Sequence, residues 1–300
     1  MQGTTWRWLA ALALALGVLA AAGCGDDDDD DDGSAQTGTA AARTFDAGTT
    51  MARLQDEGEI TIGVKYDVAP FGFKNPRSGN IEGFDVDIGK AIATELGVQA
   101  KFIEAISDNR IPFLKDGTAD LILSTMTINA ERDEEIDFSD PYFIARGRIL
   151  VKKSDTSING VGDLAGKEVC TVLGSTYEDT LKQQAPKAKR RLVDTYSECL
   201  ELIQNGAVAA ESTDDVILTG QIIQDDSLKL VEGKELTTEP YGVGIKEGDA
   251  AFKAFVDESV QKFKDDGRWA ASYEKWVGQY TKEKQDPPTM TLKEAIDLTK

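Results

Sequence analysis

A hydroxyl-rich segment that leads into an arginine carries the clearest chemistry in this sequence of 300 residues. Ser124, Thr125 and Thr127 precede Arg132, an order that predicts the end of a strand followed by the start of a helix. A guanidinium can hold a carboxylate through two parallel hydrogen bonds, and neighbouring hydroxyl groups can donate further ones. We therefore predict that these residues bind a small ligand with a carboxylate group. The alternative is that Arg132 is a helix residue that pairs with the acidic residues around it.

The hydrophobic pattern from residue 58 onward predicts the elements that position this segment. Strand-like and helix-like stretches alternate, which is typical of an α/β protein with mainly parallel sheets. A helix at 85–96 is predicted to be capped by Asp85, and a buried strand at 120–125 ends at the hydroxyl-rich segment. A second series of elements follows Tyr142, and a strand at 239–245 is predicted to return to the first series. The chain would thus cross twice between two lobes, and open α/β sheets bind ligands at the carboxyl ends of their strands.

The first 50 residues are predicted to lie outside the folded part. Residues 1–23 carry an apolar stretch and small residues before Cys24, a pattern that indicates a secretory signal with a lipobox. Cys24 would then be the lipidated first residue, which anchors the chain to the cell membrane; the alternative is an uncleaved membrane anchor. Residues 24–50 include the run Asp26–Asp32 and few large apolar side chains, so we expect a disordered acidic tether. The net charge of −20 argues against a nucleic acid as partner.

Two further cysteines, Cys170 and Cys199, are expected to form a disulfide. An exported chain is exposed to oxidising conditions, which favour pairing of thiols. The alternative is a pair of buried free thiols that are merely packed.

Several short motifs, taken together in their order, resemble the extracellular receptors of ABC importers that bind polar amino acids. The resemblance covers residues 58–280 and rests on the following segments: Pro70-Phe71-Gly72-Phe73, Gly83-Phe84-Asp85-Val86-Asp87, Arg110-Ile111-Pro112, residues 127–132, Asp137-Phe138-Ser139, Asp163-Leu164-Ala165-Gly166-Lys167, Gly174-Ser175-Thr176 and Thr213-Asp214-Asp215. The sequence around the two cysteines looks like the glutamate-binding lipoproteins of actinobacteria, in which these cysteines are bridged.

The resemblance implies a two-lobed, periplasmic-binding-protein-like α/β fold with a hinge of two strands and a ligand cleft between the lobes. It assigns residues 51–141 and 242–282 to the first lobe, 147–237 to the second, 142–146 and 238–241 to the hinge, and 283–300 to a C-terminal tail. It also implies binding without catalysis, cofactor or metal, an extracytoplasmic monomer, and ABC permease subunits as partners.

The resemblance implies how the α-carboxylate of an amino acid is held. Arg132 binds it, helped by donors from both lobes. These donors are Ser124, Thr125 and Thr127 in the first lobe and Ser175 and Thr176 in the second. The second-lobe pair opens a helix, where free N–H groups favour an anion.

Asp214 is implied to accept hydrogen bonds from the α-ammonium group, because a buried cation needs a partner. It could instead cap the helix that follows it, and the adjacent Asp215 could take its place. Many relatives carry an acidic residue five positions before this aspartate. This chain has Ala209 there, followed by Glu211, whose direction the sequence does not give.

Lys65 and Arg110 match positions at which receptors for acidic amino acids place cations. Lys65 alone could be solvated, and Arg110 could be a structural cap. Counting these two residues and Arg132 against Asp214 gives the site a charge of about +2, which an anion neutralises better than an amide. We therefore expect glutamate or aspartate as the ligand, with a glutamine or asparagine receptor as the alternative.

Two rival functions use the same fold. One is an exported dehydratase-like enzyme, in which a carboxyl group such as that of Glu211 would act as the acid. The other is a sensory receptor. The sequence has no histidine, the commonest general base, and this argues against the enzyme.

Overall fold

The computed structural model describes residues 43–233 and 235–300, which form an α/β fold of two lobes. The predicted signal peptide, Cys24 and most of the predicted tether lie outside the described residues. Within the described ranges, no helix is both long enough and apolar enough to cross a membrane.

The chain builds most of the first lobe before it crosses to the second. The strands of this part are β1 (Glu59–Val64), β2 (Asp67–Val68), β3 (Gly72–Lys74), β4 (Ile81–Glu82), β5 (Gln99–Glu104), β6 (Leu121–Ile122) and β7 (Asp137–Phe138). The helices are α1 (Thr50–Glu57), α2 (Phe84–Leu96), α3 (Arg110–Asp116) and α4 (Ala130–Asp133), and a 3₁₀ turn spans Ser107–Asn109. Helix α2 stops at Gly97, whose φ of +81° allows a left-handed C-cap.

The second lobe follows a long strand, β8 (Phe143–Lys152). Its other elements are a 3₁₀ turn (Val161–Leu164), strands β9 (Glu168–Val172), β10 (Lys189–Val193), β11 (Ala210–Asp214) and β12 (Leu228–Leu230), and helices α5 (Tyr177–Gln184), α6 (Tyr196–Gln204) and α7 (Asp215–Gln224). The disulfide between Cys170 and Cys199 joins β9 to α6, so the predicted pairing is confirmed.

The chain then returns to the first lobe. The predicted strand at 239–245 is divided into β13 (Thr238–Tyr241) and β14 (Gly244–Ile245). The helices that follow are α8 (Ala250–Asp265), α9 (Arg268–Tyr273), a π-helical turn (Glu274–Gly278), α10 (Gln279–Thr281) and α11 (Leu292–Leu298).

Each lobe has its own sheet. The first sheet has the order β5-β1-β6-β14-β7, in which β1 runs parallel to β5 and β6, whereas β14 is antiparallel to both of its neighbours. The second has the order β10-β9-β11-β8-β12, and a small third sheet joins β2, β3 and β4. Because β1 and β6 are parallel neighbours, their carboxyl ends meet at one edge of the first sheet.

Two strands connect the lobes. The first four residues of β8 pair antiparallel with β13, so that Phe143 lies opposite Tyr241 and Ala145 lies opposite Glu239. The remaining residues of β8 belong to the second sheet. Phe71 packs edge-on against both Phe143 and Tyr241, at ring distances of 4.9 and 5.7 Å, so the crossing is anchored in the aromatic core of the first lobe.

The structure places residues 43–49, which we had assigned to the tether, against the first lobe. Phe45 packs edge-on against Phe255 of α8, and Arg43 pairs with Glu258 at 2.9 Å. Thr49 caps α1 by accepting a hydrogen bond from the main-chain N–H of Ala52. One aromatic side chain and one capping hydroxyl are sufficient to attach this segment, and composition alone did not indicate them.

The C-terminal tail contains a short helix. Helix α11 begins with a capping box between Thr291 and Glu294, and Ala295 is fully buried against the first lobe. The main-chain N–H of Leu292 donates to Asp140 at 2.7 Å, which attaches the helix to the lobe.

Candidate functional site

Three cationic side chains lie at the carboxyl edge of the first sheet. Lys65 directly follows β1, Arg110 begins α3, and Arg132 lies in α4. Their exposed fractions are 2 %, 3 % and 9 %. The structure therefore brings together the three cations that the sequence singled out, and it removes them from water.

Lys65 is enclosed by groups from both lobes. Its Nζ donates to Ser107 Oγ at 2.8 Å and lies 5.6 Å from the centre of the Tyr196 ring. Burial, followed by the charge of Arg110, lowers the pKa of Lys65 to about 7. A lysine with this pKa is close to half protonated at neutral pH, so the group that a ligand presents decides its charge.

Arg110 is held mainly by main-chain carbonyl groups. Nε donates to Ser107 at 3.0 Å, Nη1 donates to Ser124 and Thr125 at 3.0 and 3.2 Å, and Nη2 donates to Gly174 at 3.2 Å. Four of the five N–H groups of this guanidinium thus have protein acceptors. Burial and a neighbouring arginine lower its pKa to about 9. Arg110 therefore fixes the backbone at the strand ends, and this leaves it little capacity for a ligand.

Arg132 uses fewer of its N–H groups for bonds within the protein than Arg110 does. Nη1 donates to the carbonyl of Thr127 at 2.7 Å, and Nη2 donates to the carbonyl of Gly174 at 3.0 Å. The Asn129 side chain caps α4 by accepting from the main-chain N–H of Arg132 at 2.9 Å. Within the described part of the chain, these bonds leave three N–H groups of the guanidinium free, whereas a bidentate carboxylate needs two.

Thr125 adopts a left-handed backbone conformation, with φ of +44°, which is uncommon for a threonine. Asp85 holds it, because its Oδ2 accepts from the Thr125 N–H at 2.9 Å while its Oδ1 accepts from the Tyr142 hydroxyl at 2.8 Å. Burial raises the pKa of Asp85 to about 6. The prediction that Asp85 caps α2 is wrong: Gly83 is the N-cap, and the carboxylate of Asp85 reaches the strand end instead.

The hydroxyl groups of the first-lobe segment differ in their availability. Ser124 is fully buried and its Oγ donates to the Ala105 carbonyl at 2.8 Å. Thr127 Oγ donates to Glu239 Oε2 at 2.6 Å. Thr125 Oγ has no hydrogen-bond partner among residues 43–233 and 235–300. Thr125 is therefore the member of this set whose hydroxyl is ready to donate to a ligand.

The second lobe meets the first at the turn before α5. Gly174 has φ of +73°, and a Cβ there would lie 2.8 Å from the Cα of Asp108, so this close approach requires glycine. Ser175 Oγ lies 3.3 Å from Thr171 Oγ, and Thr176 Oγ donates to Glu239. Helix α5 begins at Tyr177, two residues later than predicted.

Asp214 ends β11 with its carboxyl group buried. Oδ1 accepts from the Tyr177 hydroxyl at 2.8 Å, and the side chain makes no capping bond to α7. Burial, followed by the charge of Glu239, raises the pKa of Asp214 well above its usual range. Asp215 is used differently, because its carboxylate accepts from the main-chain N–H groups of Arg146 and Val216. Of the two aspartates, Asp214 is the one with a buried carboxyl group that an ammonium could ionise.

Glu239, on the hinge strand β13, is a residue of this region that the sequence did not indicate as functional. It is 2 % exposed and its Oε2 accepts from hydroxyl groups of both lobes. A signal for it exists in retrospect: it is the one charged residue of the predicted strand 239–245. A charge in a buried strand needs partners.

Glu211 points into the second lobe. It is fully buried, and its Oε1 accepts from Gln221 Nε2 of α7 at 2.9 Å. Burial raises its pKa well above the usual range. Its carboxyl group thus belongs to the packing between β11 and α7.

Comparison with known proteins places this geometry in a family. Residues 60–279 match the model of the bacterial extracellular solute-binding proteins, family 3. The chain belongs to this family. It is 40% identical over 242 residues to the ABC transporter glutamine-binding protein GlnH of Bacillus subtilis, an alignment that covers 79% of this chain and 86% of that protein. It is 32% identical over 225 residues to the glutamate-binding protein GluB of Corynebacterium glutamicum, covering 71% of this chain and 76% of GluB.

A solved structure of the same family supports the fold. An ancestral arginine-binding protein bound to glutamine superposes with a TM-score of 0.70 at 37% identity, covering 74% of this chain and 98% of that chain. The family and the two-lobed fold predicted from the motifs are therefore confirmed. GlnH of Bacillus subtilis shares a higher sequence identity with this chain than GluB of Corynebacterium glutamicum does.

Proposed function

We propose that this protein is the extracytoplasmic receptor of an ABC amino-acid importer and that it binds glutamine between its lobes. The importer role rests on the family and on relatives that are ABC transporter binding proteins. The choice of glutamine rests on the charges that surround the cleft.

The two charged groups on the α-carbon of an amino acid have suitable partners on opposite sides of the cleft. Arg132, with three uncommitted N–H groups, binds the α-carboxylate together with the Thr125 hydroxyl. Asp214, on the second-lobe side, accepts hydrogen bonds from the α-ammonium, whose positive charge favours the ionised form of this buried carboxyl group. The lobes must close for both contacts to form, so ligand binding favours the closed state.

The charge count now favours a ligand without net charge. Our count from the sequence opposed three cations with Asp214 alone and so favoured an acidic amino acid. The structure adds two buried carboxyl groups, Asp85 and Glu239, at 0 % and 2 % exposure. Three basic side chains then face three acidic ones, Asp85, Asp214 and Glu239. A zwitterion with a neutral side chain preserves this balance, whereas glutamate adds an uncompensated negative charge to a site of low polarity.

The side-chain end of the cleft also suits an amide. Lys65 Nζ donates and Ser107 Oγ can accept, and the two atoms are 2.8 Å apart. An amide offers a carbonyl oxygen to the first and an N–H to the second. Glutamate remains the second candidate, because a carboxylate would return the proton that burial removes from Lys65, and because GluB is also a relative.

We further propose that Cys24 carries a lipid anchor, that the receptor acts as a monomer, and that it delivers its ligand to permease subunits. The bonding of Glu211 inside the second lobe supports binding over the dehydratase reading, which needed that acid in the cleft. A sensory receptor would differ from a transport receptor only in the protein to which it passes its signal.

A thermal-shift panel of the twenty common amino acids on the full-length protein tests the ligand. We expect the largest rise in melting temperature with glutamine, a smaller one with glutamate, and none with arginine or leucine. Saturation at about 100 times Kd adds about 2.7 kcal/mol of stability, which such an assay resolves. A panel in which no amino acid shifts the transition would contradict the proposal.

A further inference from the structure

Glu239 occupies a position between all three parts of the fold. It lies on β13, opposite Ala145 of β8, in the two-strand connection. Thr127 follows β6 in the first lobe, and Thr176 precedes α5 in the second. One carboxylate oxygen, Oε2, accepts from the hydroxyl groups of both, at 2.6 and 3.0 Å.

This arrangement ties hinge, first lobe and second lobe through a single atom. When the lobes separate, the two hydroxyl groups move apart, and Oε2 cannot keep both bonds. Hydrogen bonds to a charged acceptor are stronger than neutral ones, so their loss is significant for the balance between open and closed forms.

The surroundings leave room for this movement. A cavity of about 430 Å³ borders Glu239, and residues from the first lobe, the second lobe and the hinge line it, including Asn129, Thr180 and Thr238. Open space therefore adjoins Glu239 where residues of the two lobes and the hinge come near each other. The bonds of Glu239 are direct contacts that cross the gap.

Glu239 also acts on the charges of the two residues that are proposed to bind the α-carboxylate and the α-ammonium of the ligand. It is the strongest of the neighbours that oppose the loss of charge on buried Arg132. It is likewise the strongest charged influence that raises the pKa of Asp214. A negative charge here favours the charged form of Arg132 and disfavours the charged form of Asp214.

We propose that Glu239 is a positioning residue that clasps the two lobes through Thr127 and Thr176 and, by its charge, biases the cleft against anionic side chains. The clasp acts on the closed state whichever amino acid is bound. The bias against anions deepens the proposed function and rests on it.

Two substitutions at this position separate the clasp from the charge. Glu239→Gln keeps an acceptor oxygen of the same shape and removes the charge, whereas Glu239→Ala removes both. Thr176→Val breaks only the second-lobe bond and leaves Glu239 paired with Thr127. Thr94→Val is the matched control, because the Thr94 hydroxyl bonds to Lys90 within α2, away from the cleft.

Small-angle X-ray scattering of the full-length protein without ligand measures the clasp. We expect Glu239→Ala and Thr176→Val to increase the radius of gyration, and Thr94→Val to leave it unchanged. If both clasp variants scatter as the unsubstituted protein does, the clasp is refuted. This readout needs no ligand, so it decides the clasp even if the glutamine proposal fails.

Calorimetry with glutamine and glutamate measures the charge effect. We expect Glu239→Ala to weaken glutamine about tenfold. Glu239→Gln should weaken it less and should shift the affinity ratio toward glutamate by at least about fivefold. A ratio unchanged within twofold in Glu239→Gln would refute the bias against anions. If the unsubstituted protein binds neither amino acid, the proposed function fails and the bias fails with it, whereas the clasp is still judged by scattering.

Discussion

The two sides of the cleft carry opposite charges and treat them differently. The first-lobe side presents Lys65, Arg110 and Arg132, cations that are bonded to main-chain carbonyls or a hydroxyl. The second-lobe and hinge side presents Asp214 and Glu239, carboxyl groups that are bonded to hydroxyls. Among residues 43–233 and 235–300, these five side chains form no salt bridge. Buried Asp85 adds one carboxyl group to the first-lobe side, where the three cations outnumber it. Charge compensation therefore runs mainly between the lobes, and the two charges of a zwitterion can align with that difference.

Removing the main cation of the first-lobe side should have the largest effect. Arg132→Ala leaves an α-carboxylate without its bidentate partner, so we expect affinity to fall about 1000-fold, or about 4 kcal/mol. Calorimetry measures this loss. Arg53→Ala is the matched control, because Arg53 forms exposed ion pairs with Glu57 and Asp120 and should leave affinity unchanged. Equal affinity in Arg132→Ala and the unsubstituted protein would disprove its role.

Removing the acid of the opposite side should have the next largest effect. Asp214→Asn keeps an acceptor oxygen but cannot ionise, so we expect a loss of about 100-fold in affinity for any amino acid. Asp215→Asn should change affinity little, because its carboxylate serves the backbone at Arg146 and Val216. The reverse order of the two variants would assign the ammonium to Asp215.

Burial of Lys65 on the first-lobe side should affect the free energy of unfolding of the protein. Its pKa in the folded protein is about 7, below the 10.5 of an unperturbed lysine. Between these values the unfolded chain binds more protons, so this group makes stability rise with pH above 7, and its cost is greatest at or below pH 7. We expect Lys65→Met to raise the free energy of unfolding at pH 7 by roughly 1–3 kcal/mol while it weakens ligand binding.

Chemical denaturation at pH 7 and pH 10 measures that effect. The advantage of Lys65→Met should shrink at the higher pH, whereas Lys74→Met, at an exposed position, should be neutral at both. A destabilised Lys65→Met variant at pH 7 would contradict a buried lysine that is costly to charge.

The sequence predicted the first-lobe side better than the rest, and the reason is the separation of the partners. The cations and hydroxyls stand next to strand ends, so a local pattern locates them. Asp85 contacts Thr125 across 40 residues, and Glu239 contacts Thr127 across 112, so their roles depend on tertiary packing. The charge count from sequence omitted both carboxylates, and it therefore favoured an acidic ligand.

The sequence also could not predict which arginine N–H groups remain free for a ligand. Arg110 and Arg132 are the same residue type, and both lie in short helices near the carboxyl edge of the first sheet. The first spends four N–H groups on carbonyls, and the second spends two. Only the positions of carbonyls in the folded backbone distinguish a scaffolding arginine from a ligand-binding one.

Calorimetric titration of the full-length protein with glutamine and with glutamate at pH 7 tests most directly whether the cleft is balanced for a neutral zwitterion. The account predicts that glutamine binds at least about tenfold more tightly, a difference of about 1.4 kcal/mol. Glutamate affinity equal to or greater than that of glutamine would contradict it.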